Sequence, residues 1–190
     1  FDDSSTIATW LHNEGYQTAL IGKYLNDYDP DDAKYLPAGW DMFRSFVGMP
    51  GYDEFTLTNF VDKQWIETKT YAKSDGKYST HLLTDFARKF IDDAASSTEP
   101  FFLMFTPYAP HSPATPPTEY RRGTDTFPDV PSYNEIDVSD KTEWVSVLPE
   151  LSTLEENSID RAQRNAYGSL RALDDDIQKL IETLRTSGEL

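Results

Sequence analysis

The chain has 190 residues, 38% of them hydrophobic and 14% aromatic, which is enough for a packed core and too many for a disordered tail. Its formal net charge is −16 with no long basic run, which argues against a nucleic-acid partner and against docking on anionic lipid. It has no cysteine, so disulfides and thiolate metal sites are excluded within it, and neither a membrane-spanning apolar stretch nor a signal peptide is visible.

The acidic balance suits solubility or high salt, and it makes the few cations more informative. The length fits one large domain or part of a bigger one. The opening FDDSSTIATWL lacks Met and reads as though cut from the middle of something.

Ser4 to Thr6 supply N-cap candidates, Ile7, Trp10 and Leu11 follow at helical spacing, and Gly15 suits the residue after the helix. Tyr16 to Ile21 reads as a strand that Gly22-Lys23 leaves at its C-terminal end. Residues 27 to 54, rich in Asp, Pro and Gly, read as a long excursion. Phe55 to Val61 alternates and pairs with Gln64 to Thr70 across Asp62-Lys63. A helix is expected from about Ser79 to Ala95, with Leu82, Leu83, Phe86, Phe90 and Ile91 as its buried stripe.

Phe101 to Phe105 carries no polar residue and is too short to span a membrane, so it reads as a central strand buried on both faces. Prolines 107, 110, 113, 116 and 117 then forbid regular structure and place His111 on a stiff loop at the strand's C-terminal end. A polar, proline-rich region runs to about 150. Asp160 to Thr186 follows, with Tyr167, Leu170, Leu173, Ile177, Leu180, Ile181 and Leu184 spaced by three and four, and Gly188 ends it. That helix would be roughly 40 Å long. The element order fits an α/β fold with an inserted hairpin.

Two residues stand where open α/β sheets bind ligands, beyond strand C-termini. Lys23 can offer a point charge to a tetrahedral oxyanion such as sulfate or phosphate, or it can be a plain surface lysine in a turn. His111 can donate to an oxyanion, protonate a leaving oxygen or bind metal, or it can simply bond backbone. Trp40, Tyr52 and Tyr108 lie near these loops and can stack on sugar rings, although packing accounts for them more simply. Asp29, Asp31 and Asp32 lack the spacing of a dedicated calcium loop. Asp174-Asp175-Asp176 cannot all face one ion from a helix, and they read as solvated or capping.

With these residues in view, GYQTALIGKYLNDY resembles the GY-T-x-x-x-GK signature of the sulfatase family. PFFLMFTPYAPHSP resembles the family's strand and Pro-His element, and YGSLRALDDDIQKLIETLRTSGEL is similar to its long C-terminal helix. GKYLN followed by PHSP is nearest the N-acetylglucosamine-6-sulfatase and heparan endosulfatase branch. The resemblance implies an alkaline-phosphatase-like sheet covered by helices. It also implies sulfate ester hydrolysis with a formylglycine beside Ca2+, on a sulfated carbohydrate such as a glycosaminoglycan or on an aryl sulfate ester. Lys23 would then contact the sulfate and neutralise developing charge. His111 would hydrogen-bond the sulfate and the ester oxygen. Asn26, standing where many members carry a nearby histidine, would touch the nucleophile or a sulfate oxygen.

The chain departs from the pattern in one large respect. No C/S-x-P-x-R occurs, and neither Ser79-Thr80-His81 nor Ser112-Pro113-Ala114 satisfies it. The family's paired N-terminal Asp ligands and its C-terminal Asp-Asn/His element are missing as well. Residues 1 to 190 are therefore expected to be the central part of one catalytic domain, inactive alone, with no metal ligand assigned within them. Open sheet edges would favour self-association of such a segment. Family resemblance also implies export, to periplasm, lysosome or the extracellular space. Two other readings stay open: a phosphatase or phosphodiesterase of the same superfamily, and a non-catalytic module holding a sulfated glycan.

Overall fold

The structure, a computed structural model, describes residues 2–26, 28, 34–121 and 128–190. Helix α1 (Ile7–Asn13) begins at Thr6, whose side chain accepts from the Thr9 amide while the Thr9 side chain accepts from the Thr6 amide. Strand β1 (Gln17–Gly22) follows, then β2 (Met42–Phe46), β3 (Phe55–Val61) and β4 (Gln64–Tyr71). After these come α2 (Ser79–Ala94), β5 (Phe101–Thr106), the short α3 (Glu143–Ser146) and the long α4 (Thr153–Ser187).

The five strands form one sheet in the order β4-β3-β2-β1-β5. Strand β1 runs parallel to β2 on one side and to β5 on the other, while β2, β3 and β4 pair antiparallel. The hairpin forms where the alternation predicted it. Asp62 and Lys63 both take positive φ, 50° and 61°, the two-residue turn geometry that matches strand twist.

One face of the sheet packs Ala19, Ile21, Phe46 and Leu57 against Leu83, Ala87 and Ile91 of α2, with Ala172 and Leu180 of α4 behind. The other face is smaller and packs Leu20, Phe43 and Phe60 against Ala8 of α1, Tyr28 and Trp40. Two covered faces explain why β1 is buried at nearly every position, the polar Thr18 included.

Four expectations need correction. The excursion at 27 to 54 contains β2, whose alternation is broken by Arg44, a residue that reaches across to Asn59 of β3 (3.1 Å). Strand β5 is not central: it pairs only with β1 among the described residues, stands at the sheet edge, and is half-buried rather than enclosed. In α1 the apolar Ile7 and Trp10 point outward, 53% and 61% exposed, and Ala8 and Thr9 face the sheet. In α4 the buried face is Ser169, Ala172, Asp176, Leu180 and Thr183, whereas Tyr167, Leu170 and Ile177 are exposed.

The last correction has a steric cause. Gly168 leaves no room for a side chain, because a Cβ there would meet Pro116 Cβ and the Tyr120 carbonyl, each at 2.9 Å. The small residues on that stripe bring α4 close against its neighbours. The helix also starts earlier than its apolar spacing suggested. A Ser152–Glu155 capping box opens it, so it spans 35 residues and about 52 Å.

Candidate active site

The candidate site forms where β1 and β5 end side by side. Gly22 pairs with Thr106 in register. Its φ is +129°, and a Cβ there would lie 2.0 Å from the Thr106 carbonyl oxygen, so only glycine lets the two backbones approach. The next residue is clasped twice: the Lys23 amide donates to the Thr106 carbonyl (2.7 Å), and Thr106 Oγ1 donates to the Lys23 carbonyl (2.8 Å). Lys23 thus leaves the sheet edge from a fixed backbone with a half-buried side chain.

His111 stands on the loop that follows β5. Its amide donates to the Tyr108 carbonyl (2.9 Å), and its ring stacks on Tyr108 at 4.8 Å and 21°. Nδ1 lies 2.7 Å from the Ser112 carbonyl and must donate to it. That bond fixes the ring's outward edge as Nε2, which has no partner among the described residues. A tyrosine completes the support: Tyr52 donates its hydroxyl to the His111 carbonyl (2.8 Å).

Lys23 thus directly follows β1 and His111 lies on the loop that follows β5, two adjacent parallel strands at the point where the strand order turns back on β1, the usual place for a ligand crevice. Asn26 is exposed in the turn just beyond Lys23. Trp40, Tyr52 and Tyr108 are buried and packed, as the simpler reading had it. Asp29, Asp31 and Asp32 lie outside the described residues.

Sequence reasoning missed a second cluster. Asp176 was expected to be solvated with Asp174 and Asp175, yet it is 0% exposed. Its Oδ2 accepts from His81 Nδ1 at 2.6 Å and its Oδ1 from Lys179 at 2.8 Å, so both oxygens of a buried carboxylate are paired. His81 Nε2 reaches Glu119 at 3.1 Å. Carboxylates on both nitrogens favour the imidazolium form of the ring. The cluster ties α2, α4 and the segment following the His111 loop together. A signal existed in principle: Asp176 falls on the same helical stripe as Ala172 and Leu180, but the apolar residues around it suggested a different face.

The Asp176 hydrogen bond, aided by Glu119, raises the His81 pKa above its ordinary 6.5 against the effect of burial. Burial works to raise Asp176, but His81 and Lys179 prevail and hold it below 3.8. The stability His81 contributes is full below 6.5 and is lost as pH climbs through its raised value. That of Asp176 is full above 3.8 and is lost as pH falls through its lowered value. The melting deficit of His81→Gln in the whole protein should therefore be larger near pH 6 than near pH 9. A deficit independent of pH would show that the imidazolium does not matter.

Among the described residues no three His, Asp or Glu side chains converge to hold an ion. The calcium implied by family resemblance does not fit the donors present here, and the chain has no cysteine and no C/S-x-P-x-R from which formylglycine is made.

A protein-family model described as Sulfatase matches residues 2–190. The human N-acetylglucosamine-6-sulfatase is 32% identical over 187 residues, covering 93% of this chain and 32% of its own length. The arylsulfatase of Volvox carteri is 28% identical over 211 residues, covering 99% of this chain and 32% of its own. The chain thus spans about a third of the length of these curated relatives. The solved structure of BT4656 in complex with its substrate D-glucosamine-2-N,6-O-disulfate superposes with a TM-score of 0.64 at 19% identity, over 100% of this chain and 49% of that one, which shows a shared fold.

Proposed function

The chain belongs to the sulfatase family, and we propose that it is the central part of a catalytic domain that cleaves sulfate esters of a sulfated sugar. The observation that carries this reading is the double clasp of Lys23 to Thr106, which sets a cation beside the strand whose outgoing loop bears His111. The substrate of BT4656 and the glucosamine sulfatase relative support a sulfated sugar. In this reading the nucleophile and metal on which the family generally depends would be supplied from outside these residues.

In this reading the Lys23 ammonium sits against the sulfuryl oxygens and offsets the charge that grows there as the S–O bond breaks. His111 keeps Nδ1–H on the Ser112 carbonyl and presents Nε2–H to the bridging oxygen. That oxygen leaves as an alcohol after taking the Nε2 proton, and the ring becomes neutral. Asn26 adds a hydrogen bond to the nucleophile or a sulfate oxygen. Export follows from the family reading, and no described helix is long and apolar enough to cross a membrane.

Steady-state kinetics of the whole enzyme on a glucosamine sulfate test the reading, with Asn26→Ala run in the same series. Lys23→Ala is expected to lower kcat/KM about 100-fold, and Lys23→Arg to recover part of it because the charge returns without the shape. An unchanged kcat/KM in Lys23→Ala would remove Lys23 from the site. Turnover of a phosphate monoester faster than of the sulfate ester would turn the reading toward a phosphatase.

A further inference from the structure

We propose that Tyr52 is a positioning residue for His111, acting through the His111 carbonyl and the Tyr108 ring; the inference rests on the role given to His111 above. Tyr52 is only 5% exposed, so it cannot stack on a sugar. A buried phenol needs a hydrogen-bond partner, and this one uses the carbonyl of the histidine itself, at 2.8 Å.

Its backbone is held too. The Ser79 amide at the start of α2 lacks a side-chain cap and instead donates to the Tyr52 carbonyl (2.8 Å). The ring is gripped on both sides, by Tyr78 at 5.7 Å and 21° and by Tyr108 at 5.1 Å and 52°. Tyr108 in turn stacks on His111. His81 packs against Tyr78 at 5.0 Å, so a continuous row of five rings runs from the His81–Asp176 cluster to the imidazole.

The Ser112 carbonyl closes the arrangement by accepting from His111 Nδ1 (2.7 Å) and from the Tyr108 hydroxyl (3.4 Å). Burial, reinforced by Tyr78 and Tyr108, pushes the Tyr52 phenol pKa up, so it remains a donor at any working pH. The loop around His111 is proline-rich, and among the described residues Tyr52 supplies the one side-chain bond to the His111 main chain. Removing that hydroxyl frees the carbonyl and lets Nε2 drift from the ester oxygen.

The test compares two esters in the whole enzyme. A sugar alcohol leaves as a strong base and needs a proton, whereas an acidic phenol leaves without one. Tyr52→Phe keeps the ring and deletes the hydroxyl. It should lower kcat about 10-fold on a glucosamine sulfate with KM nearly unchanged, and much less on a nitrophenyl sulfate. Added to His111→Ala it should cost nothing further. Tyr108→Leu, which removes the stacked ring, should show the same dependence on the leaving group. Equal losses on both esters, or a Tyr52→Phe loss that adds in full to His111→Ala, would overturn the inference while leaving His111 in place. A silent His111→Ala would instead overturn the reading of His111, and this inference with it.

Discussion

His111→Ala in the whole enzyme is expected to lower kcat on a glucosamine sulfate by about 10³-fold, within the usual range for a lost general acid. The geometry sets the expectation. Nδ1 is committed to the Ser112 carbonyl, so only Nε2 can serve the departing oxygen. On a nitrophenyl sulfate the loss should shrink to about 10-fold, because that leaving group is stable as an anion and only a hydrogen bond to the bridging oxygen as charge grows there is missed. KM should change little on either ester, since a proton delivered in the transition state is not felt in the ground state. A loss of the same size on both esters would mean that His111 binds sulfate but moves no proton. His111→Gln separates the two roles, for it can donate a hydrogen bond but cannot give up a proton.

Gly22→Ala is expected to be strongly destabilising, because the added methyl has nowhere to go. The new Cβ would sit 2.0 Å from the Thr106 carbonyl oxygen and 2.4 Å from its carbon, both backbone atoms that cannot turn aside. At φ +129° the alanine is strained even before the clash. A positive φ on a residue with a side chain and overpacking of a tight contact cost about 1–3 kcal/mol each, so about 3 kcal/mol or more is expected in urea unfolding. Turnover should fall further than stability does. The same carbonyl accepts from the Lys23 amide, and pushing β5 away turns Lys23 from its direction. A whole protein carrying Gly22→Ala with an unchanged melting temperature and full activity would contradict the close approach itself.

Several elements were legible because their signals are local. The capped start of α1, the Asp62-Lys63 hairpin and the stripe of α2 each depend on spacing within one segment, and each formed close to where the pattern put it. β2 was hidden because its residues lie in a stretch dominated by Asp, Pro and Gly, and because both strands it pairs with, β1 and β3, lie outside that stretch. The faces of α1 and α4 were misread for a related reason. Apolar spacing says which residues could be buried, but the partner surface decides which are, and α4 chose its small residues.

The candidate site divides in the same way. Lys23 behind a glycine at a strand end, His111 among prolines, and the resemblance of both motifs to those of one family could all be read from the linear chain. Those statements rest on residue type and short-range order, which a linear chain carries in full. The clasp of Thr106 on Lys23, the hold of Tyr52 on the His111 carbonyl and the meeting of His81 with a buried Asp176 emerged with the fold. Each of these joins residues dozens of positions apart, and their union depends on strand register and helix packing. Hydrogen bonds act over about 3 Å, so no property of either partner alone announces the other until the fold has brought them together.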